Sequence, residues 1–240
     1  MKFISIFSLL ICTAIISCNK VKIDTDTYTS SINVINAISS NQAAININFT
    51  GKDIIFSEAR NLTNDYFDGR YASGMMPFAV PSGQPVDLAL FVQNDTVKPF
   101  FTDQRMFNVS DIYSLYVSGV IGDLKVLLTQ DTIPKHTDST TGIRFVNLVP
   151  NATTLSVNIA GNVIGSEVTS LPYQGISAFK NYPAKSENQF YFFEITDDVT
   201  GNVISSFFYD NIARFRNVTL IVKGQVDGDP SVQVARIDNY

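Results

Sequence analysis

Tryptophan is absent from the sequence, histidine occurs once, as His136, and cysteine twice, as Cys12 and Cys18. Each shortage removes a class of chemistry. A Ser-His-Asp device needs an imidazole held by packing and by an orienting carboxylate, and His136 falls in a polar stretch where neither is expected. Two cysteines cannot build a Cys-rich metal site. Lack of tryptophan removes the best surface for stacking a sugar ring. Charged residues make up only 16% of the chain, and the net charge is −5. Nucleic acid, whose affinity comes mainly from clustered Lys and Arg, is therefore not an expected partner. No G-x-S-x-G elbow, H-E-x-x-H helix or P-loop is present, and no motif asks for a cofactor or a metal. A sustained helical apolar period is also missing.

What is there begins at the N-terminus. Lys2 precedes an almost unbroken apolar run from Phe3 to Ile16, shorter than the ~20 residues of a membrane-spanning helix and suited to a signal peptide. The run closes on Ile15-Ile16-Ser17-Cys18, a branched residue at −3, a small one at −1 and cysteine at +1. That pattern resembles the lipobox of bacterial lipoproteins. It predicts a signal peptide over 1–17, cleavage after Ser17 and lipidation of Cys18. Two or three acyl chains hold a protein on a membrane where one binds only marginally. Cys12 leaves with the signal peptide, so lipidation uses the only cysteine of the mature chain. The polar segment 18–30 reads as the lipidated residue and a flexible tether. A cell-envelope location follows, with the outer membrane favoured.

Beyond the tether the chain is rich in apolar residues, 45% with 18 Phe and 10 Tyr. Alternation of period two runs through Ile45, Ile47 and Phe49, through Val86, Leu88, Leu90 and Val92, and through Leu155, Val157 and Ile159. Such alternation sends one set of side chains to a core and the other to solvent. Turn residues punctuate it at Thr50-Gly51, Pro81-Ser82-Gly83, Gly122-Asp123, Gly161-Asn162 and Asp227-Gly228-Asp229-Pro230. The fold class expected is all-β, two tandem Ig-like antiparallel β-sandwich domains.

Internal repetition supports the duplication. Ile32-Asn33-Val34-Ile35-Asn36-Ala37-Ile38 matches Ile143-Arg144-Phe145-Val146-Asn147-Leu148-Val149, and Leu115-Tyr116-Val117-Ser118-Gly119 matches Leu220-Ile221-Val222-Lys223-Gly224. An aspartate closes each copy, Asp131 in the first and Asp238 in the second. A repeat this long suits a domain of about seven strands. The boundaries read as 31–132 for the first domain, 133–141 for a linker and 142–240 for the second.

The stretch from Leu127 through Ile143-Arg144-Phe145-Val146-Asn147-Leu148-Val149-Pro150-Asn151-Ala152 to Gly161, with the turn Val80-Pro81-Ser82-Gly83, resembles domain of unknown function (DUF) family 4397. This resemblance covers about residues 30 to 240. It implies Ig-like sandwiches in envelope lipoproteins and carries over no activity and no site residues. Ala37-Ile38-Ser39-Ser40 departs from the family's usual Ser-Pro turn.

Candidate sites are few. Tyr66, Phe67, Tyr71 and Phe78, with Met75-Met76, form an aromatic loop able to present a platform to a glycan or a protein. A comparable element, Leu171 to Phe179, recurs in the second copy, which favours a scaffold role. The carboxylate pairs Asp65/Asp68, Asp197/Asp198 and Asp227/Asp229 sit beside Gly or Asn and read as turn chemistry, with calcium a remote alternative at the last. Asp95-Thr96-Val97, Asp131-Thr132-Ile133 and Asp138-Ser139-Thr140 resemble short acceptor triplets for envelope O-glycosylation. The function expected is a non-catalytic envelope module binding protein or glycan. A structural or pilus-like assembly subunit is the alternative, and a carboxylate-based hydrolase ranks below both.

Overall fold

The structure is a computed structural model that describes residues 28–40, 43–52, 60–63, 66–67, 70–71, 75–93, 95 and 97–239. The signal peptide, Cys18 and residues 19–27 of the expected tether lie outside the described residues, as do Asp65 and Asp68, whereas Thr29 and Ser30 belong to the first strand rather than to the tether. No helix occurs among the described residues; every element is a strand.

The first copy opens with β1 (Thr29–Asn36), β2 (Ala44–Asn48), β3 (Arg60–Thr63) and the short pair β4 (Tyr66–Phe67) and β5 (Arg70–Tyr71). It continues with β6 (Met75–Pro81), β7 (Pro85–Val92), β8 (Phe101–Met106), β9 (Ile112–Val120) and β10 (Asp123–Gln130). The second copy holds β11 (Thr140–Asn147), β12 (Thr154–Ile159), β13 (Val168–Pro172), β14 (Lys180–Pro183) and β15 (Phe190–Asp197). Its last strands are β16 (Val203–Asp210), β17 (Asn217–Lys223) and β18 (Gln233–Asn239).

Each copy is a β-sandwich of two four-stranded sheets, and the two copies share one topology. In the first, the sheets run β10-β9-β1-β6 and β3-β2-β7-β8; in the second, β18-β17-β11-β14 and β13-β12-β15-β16. Eight strands thus correspond one to one, rather than about seven. One sheet of each copy is mixed, and the other is purely antiparallel. β1 pairs parallel with β9, and β11 parallel with β17. Alternation cannot report this, because a parallel and an antiparallel neighbour leave the same side-chain period.

Three apolar clusters hold the sheets. One lies inside the first sandwich around Ile32, Val34, Ile45, Leu88 and Leu115, and one inside the second around Phe145, Leu155, Phe193 and Leu220. The third joins the copies: Ile35, Ala37 and Tyr116 meet Val146, Leu148, Ile221, Ala235 and Ile237. The sheet containing β1 and the sheet containing β11 therefore pack outer face to outer face, giving four layers. The inner strands of the two middle layers, β1, β9, β11 and β17, are buried on both sides and carry apolar residues at both phases. That is why the sequence repeat is strongest in β1, β9, β11 and β17.

The same polar devices recur in both copies. Asn36 donates its amide to the carbonyls of Ala43 and Leu62 and accepts from Ile38 N–H; Asn147 donates to Leu171 and accepts from Val149 N–H. Ser114 donates to Asp131 Oδ2 at 2.6 Å, and Thr219 donates to Asn239 Oδ1 at 2.6 Å. The counterpart of Asp131 is thus Asn239, one residue past the Asp238 that the sequence repeat suggested.

The first copy also lends a hairpin to the second. β4 and β5 form a hairpin, and β5 pairs parallel with β18, so a hairpin of the first copy extends a sheet of the second. In the second copy the corresponding segment stays at home, with Ile176 bridging Val146 and joining the middle cluster.

Candidate functional site

The polar segment between the copies is pinned, contrary to the loose geometry expected for His136. Asn217 donates its amide to Pro134 O at 2.7 Å, so its oxygen faces His136 Nε2 at 2.9 Å, and that nitrogen carries a proton. Thr140 Oγ1 lies 3.0 Å from His136 Nδ1. Neither ring nitrogen points to a substrate. A cleft of about 590 Å³ opens beside this segment, lined by Asp111, Ile112, Asp131, Pro134, His136 and Phe215. Its carboxylates serve the fold: Asp111 Oδ2 accepts from Asn108, Tyr113 and Gln130, and Asp131 faces Arg144. A ligand site needs convergent polar groups still free to bind.

Several other residues singled out in the sequence are likewise structural where the structure describes them. Phe78 packs edge-on against Phe49 at 5.2 Å as part of the first core, so it belongs to no surface platform. Tyr66, Phe67 and Tyr71 lie in the β4–β5 hairpin, with their side chains outside the described residues. Tyr173 and Phe179, in the second copy's equivalent segment, bond Ser118 and cover the Arg144 guanidinium. Asp197 accepts from Val199 N–H and Thr200 Oγ1, which is turn chemistry. Asp95 accepts from Val97 and Lys98 N–H, and Asp138 accepts from Thr140. Among the described residues, no three His, Cys, Asp or Glu side chains gather as a metal site.

One surface has no such explanation. In β15, Phe193 and Ile195 point into the core, which turns Phe190, Phe192 and Glu194 outward. In β16, Tyr209 points inward and Phe208 outward, directly opposite Phe192. Phe190, Phe192 and Phe208 are 50%, 36% and 52% exposed. The Phe190 and Phe208 rings lie 4.7 Å apart, and Phe192 is 6.4 Å from Phe208. Two carboxylates flank the rings on the same face: Glu194, which accepts from the Asn158 amide at 2.9 Å, and Asp210, opposite Phe190.

The first copy supplies the control. Ile47 pairs with Leu90 where Val157 pairs with Ile195, which sets Asp87 in the place of Phe192. Gln104, opposite Asp87, stands in the place of Phe208. There Gln104 donates to Asp87 at 2.8 Å, with Pro85 and Met106 as the next pair on the same face. The sandwich therefore folds with a polar pair at this position, and its geometry does not demand aromatics. Single exposed apolar residues are ordinary, but a contiguous aromatic patch marks a contact surface.

The sequence reading missed this face because it credited the aromatics to the core. The signal was present in Phe190-Tyr191-Phe192-Phe193. A strand with one buried face needs apolar residues at one phase only, and here both phases are aromatic.

The chain matches no protein-family model, and no curated protein matches it. Among solved structures it is similar to a family 26 carbohydrate-binding module from Eubacterium rectale in complex with maltoheptaose, at 10% identity and TM-score 0.28, covering 88% of this chain and 97% of the other. It is also similar to a streptococcal virulence factor solved in a study of alpha-glucan binding, at 11% identity and TM-score 0.28, covering 86% and 96%. A TM-score this low carries nothing about fold or ligand across to this chain.

Proposed function

We propose that this protein is a non-catalytic lipoprotein of the cell envelope, held in the outer membrane by lipid on Cys18, and that its β15–β16 face is an interaction surface for protein. The lipobox-like Ile15-Ile16-Ser17-Cys18 supports the anchor. The observation that carries the interaction reading is the exchange of Asp87 and Gln104 in one copy for Phe192 and Phe208 in the other. Aromatic side chains at the centre of a patch, with charge kept to its rim, suit a protein interface. The rim carboxylates are Glu194, which accepts from Asn158, and Asp210, opposite Phe190.

The test compares the wild-type chain with a Phe190→Ser, Phe192→Ser, Phe208→Ser variant, each tagged and recovered from solubilised envelopes. Protein that co-purifies with the wild type and is lost from the variant is the expected result. Polysaccharide lost in its place would make the partner a glycan, and equal recovery from both would remove this face from the function.

A further inference from the structure

We infer that the end of the body reached by the N-terminal segment rests on the lipid surface, with Phe215 and the Val163-Ile164 tip entering its interface; the inference rests on the proposed anchor at Cys18. Strand topology defines that end. β10 finishes and β11 begins there, and the cleft beside the connecting segment brings Ser110 and Ile112 of the first copy to Lys135 and Phe215 of the second. Tyr28, where the described chain begins, accepts from Ser82 N–H, and Thr29 accepts from Ser110 N–H. Thr141 meets the Tyr209 hydroxyl, and Tyr191 donates to Pro183 O, so the ends of β14 and β16 and the start of β15 lie there too. The β12–β13 turn follows, because Ala160 N–H donates to Phe192 O. The ~10 residues from Cys18 to Tyr28 span at most ~36 Å. A lipid on Cys18 therefore holds this end nearest the membrane.

The loop tips differ between the two ends. Val163 is 82% exposed, and Ile164 beside it is exposed as well, between Asn162 and Gly165. Phe215 is exposed between Arg214 and Arg216; the Arg214 guanidinium lies 4.7 Å from its ring and donates to the Ser139 hydroxyl. Phe215 is held at φ +61°, a conformation Gly or Asn adopts more readily, so the fold does not ask for an aromatic there. A ring flanked by cations suits a lipid interface, where the ring enters the acyl boundary and the cations stay among the headgroups. In the loops of the opposite end, Val97, Ile121 and Val199 each have an aspartate within two positions, Asp95, Asp123 and Asp198. Val109 at the near end has Asp111 at the same spacing and is left out of the contact. Charge follows the same division among the described residues. Internal ion pairs aside, the loops and strand ends of the near end carry Lys52, Lys135, Lys185, Arg214 and Arg216 against Asp111, Asp138, Glu187 and Asp210. Those of the far end carry Asp95, Asp197, Asp198, Asp227 and Asp229 against Lys98 and the buried Lys223. An anionic lipid surface therefore repels the far end and tolerates the near one.

The experiment uses full-length protein purified from membranes and reconstituted in vesicles of phosphatidylethanolamine and phosphatidylglycerol. Val163→Cys and, as its far-end counterpart, Val199→Cys carry a maleimide-linked fluorophore; both side chains are exposed, so neither label enters a core. Apart from Cys12 and Cys18 the chain has no other cysteine, so a lipidated wild type takes up no label and serves as the blank. Quenching by lipids with a nitroxide on the acyl chain is expected to be at least ~3-fold stronger at 163 than at 199. Phe215→Ser is expected to lower the quenching at 163 by at least about half. Equal quenching at the two positions, or none at either, overturns the docking and leaves the anchor standing. Wild type that takes up the label has a free Cys18, which overturns the anchor and the docking with it. Quenching at 163 that Phe215→Ser leaves unchanged removes Phe215 from the contact and overturns its assigned part.

Discussion

Arg144 of the second copy places Nη2 at 2.8 Å from Asp131 Oδ1 of the first, with both side chains buried. At Oδ1 no donor is aligned for a hydrogen bond, so that contact is electrostatic, while Ser114 supplies a true hydrogen bond at Oδ2. Arg144 also donates to Thr219 and to the Tyr116 hydroxyl, and its plane lies over Phe179. One guanidinium thus ties β11, β17 and β9 together with Asp131, just past β10, across the two copies. Removing one member of a buried pair leaves the other charged and unpaired, at a cost of about 3–5 kcal/mol. Arg144→Met is expected to lose that much in urea unfolding. Arg144→Met with Asp131→Leu is expected to recover most of it, since a matched apolar pair leaves no orphaned charge.

Two glycines end equivalent strands, and a side chain at either meets backbone. Gly119 has φ +96° and a Cβ there would lie 2.3 Å from Asp123 O; Gly224 has φ +101° and the same 2.3 Å to Ser231 O. Gly122 has φ +97° and open space. Gly122→Ala carries only the cost of its conformation, about 1–2 kcal/mol. Gly119→Ala and Gly224→Ala are expected to cost clearly more than Gly122→Ala in thermal unfolding. Equal losses at all three would mean that the close approach contributes nothing.

The duplication was legible because the middle strands are covered on both faces. β1, β9, β11 and β17 tolerate little at either phase, so Ile32–Ile38 and Leu220–Gly224 kept their likeness to their counterparts. The parallel β1/β9 and β11/β17 pairs left no trace, since strand direction does not alter alternation. The pinning of His136 depends on Asn217, 81 positions away, and no local pattern announces it. The aromatic face was legible in principle at Phe190–Phe193, but it took the first copy's Asp87 and Gln104 to separate contact surface from scaffold.

Glu167 and Tyr182 give the second copy an acid limb and an alkaline limb. Burial alone would raise the Glu167 carboxyl, but hydrogen bonds from Lys180 Nζ and from Tyr182 Oη at 2.5 Å outweigh it and hold it below its usual 4.5. A depressed carboxyl stabilises the fold above its unfolded pKa and loses that contribution as pH falls through the folded one. Burial, then the Glu167 hydrogen bond, push the Tyr182 hydroxyl far above its usual 10, so stability also falls once the unfolded chain can release that proton. Thermal unfolding midpoints should decline below about pH 4.5 and again above about pH 10. Glu167→Gln is expected to flatten the acid limb and keep the alkaline one, because burial of Tyr182 persists.

The proposed anchor has a direct chemical readout. Metabolic labelling with an alkyne fatty acid is expected to mark the wild-type chain and to leave Cys18→Ser unmarked and released from membranes. Label retained by Cys18→Ser would place the lipid elsewhere.

The account stands most directly on the claim that Phe190, Phe192 and Phe208 serve contact rather than folding. Urea unfolding of the Phe190→Ser, Phe192→Ser, Phe208→Ser variant measures this against Phe193→Ala. The expected result is a loss near 0.5 kcal/mol per surface position or less, beside about 3–5 kcal/mol for the core ring. A triple variant that loses as much per ring as Phe193→Ala would make the face part of the fold and contradict the account.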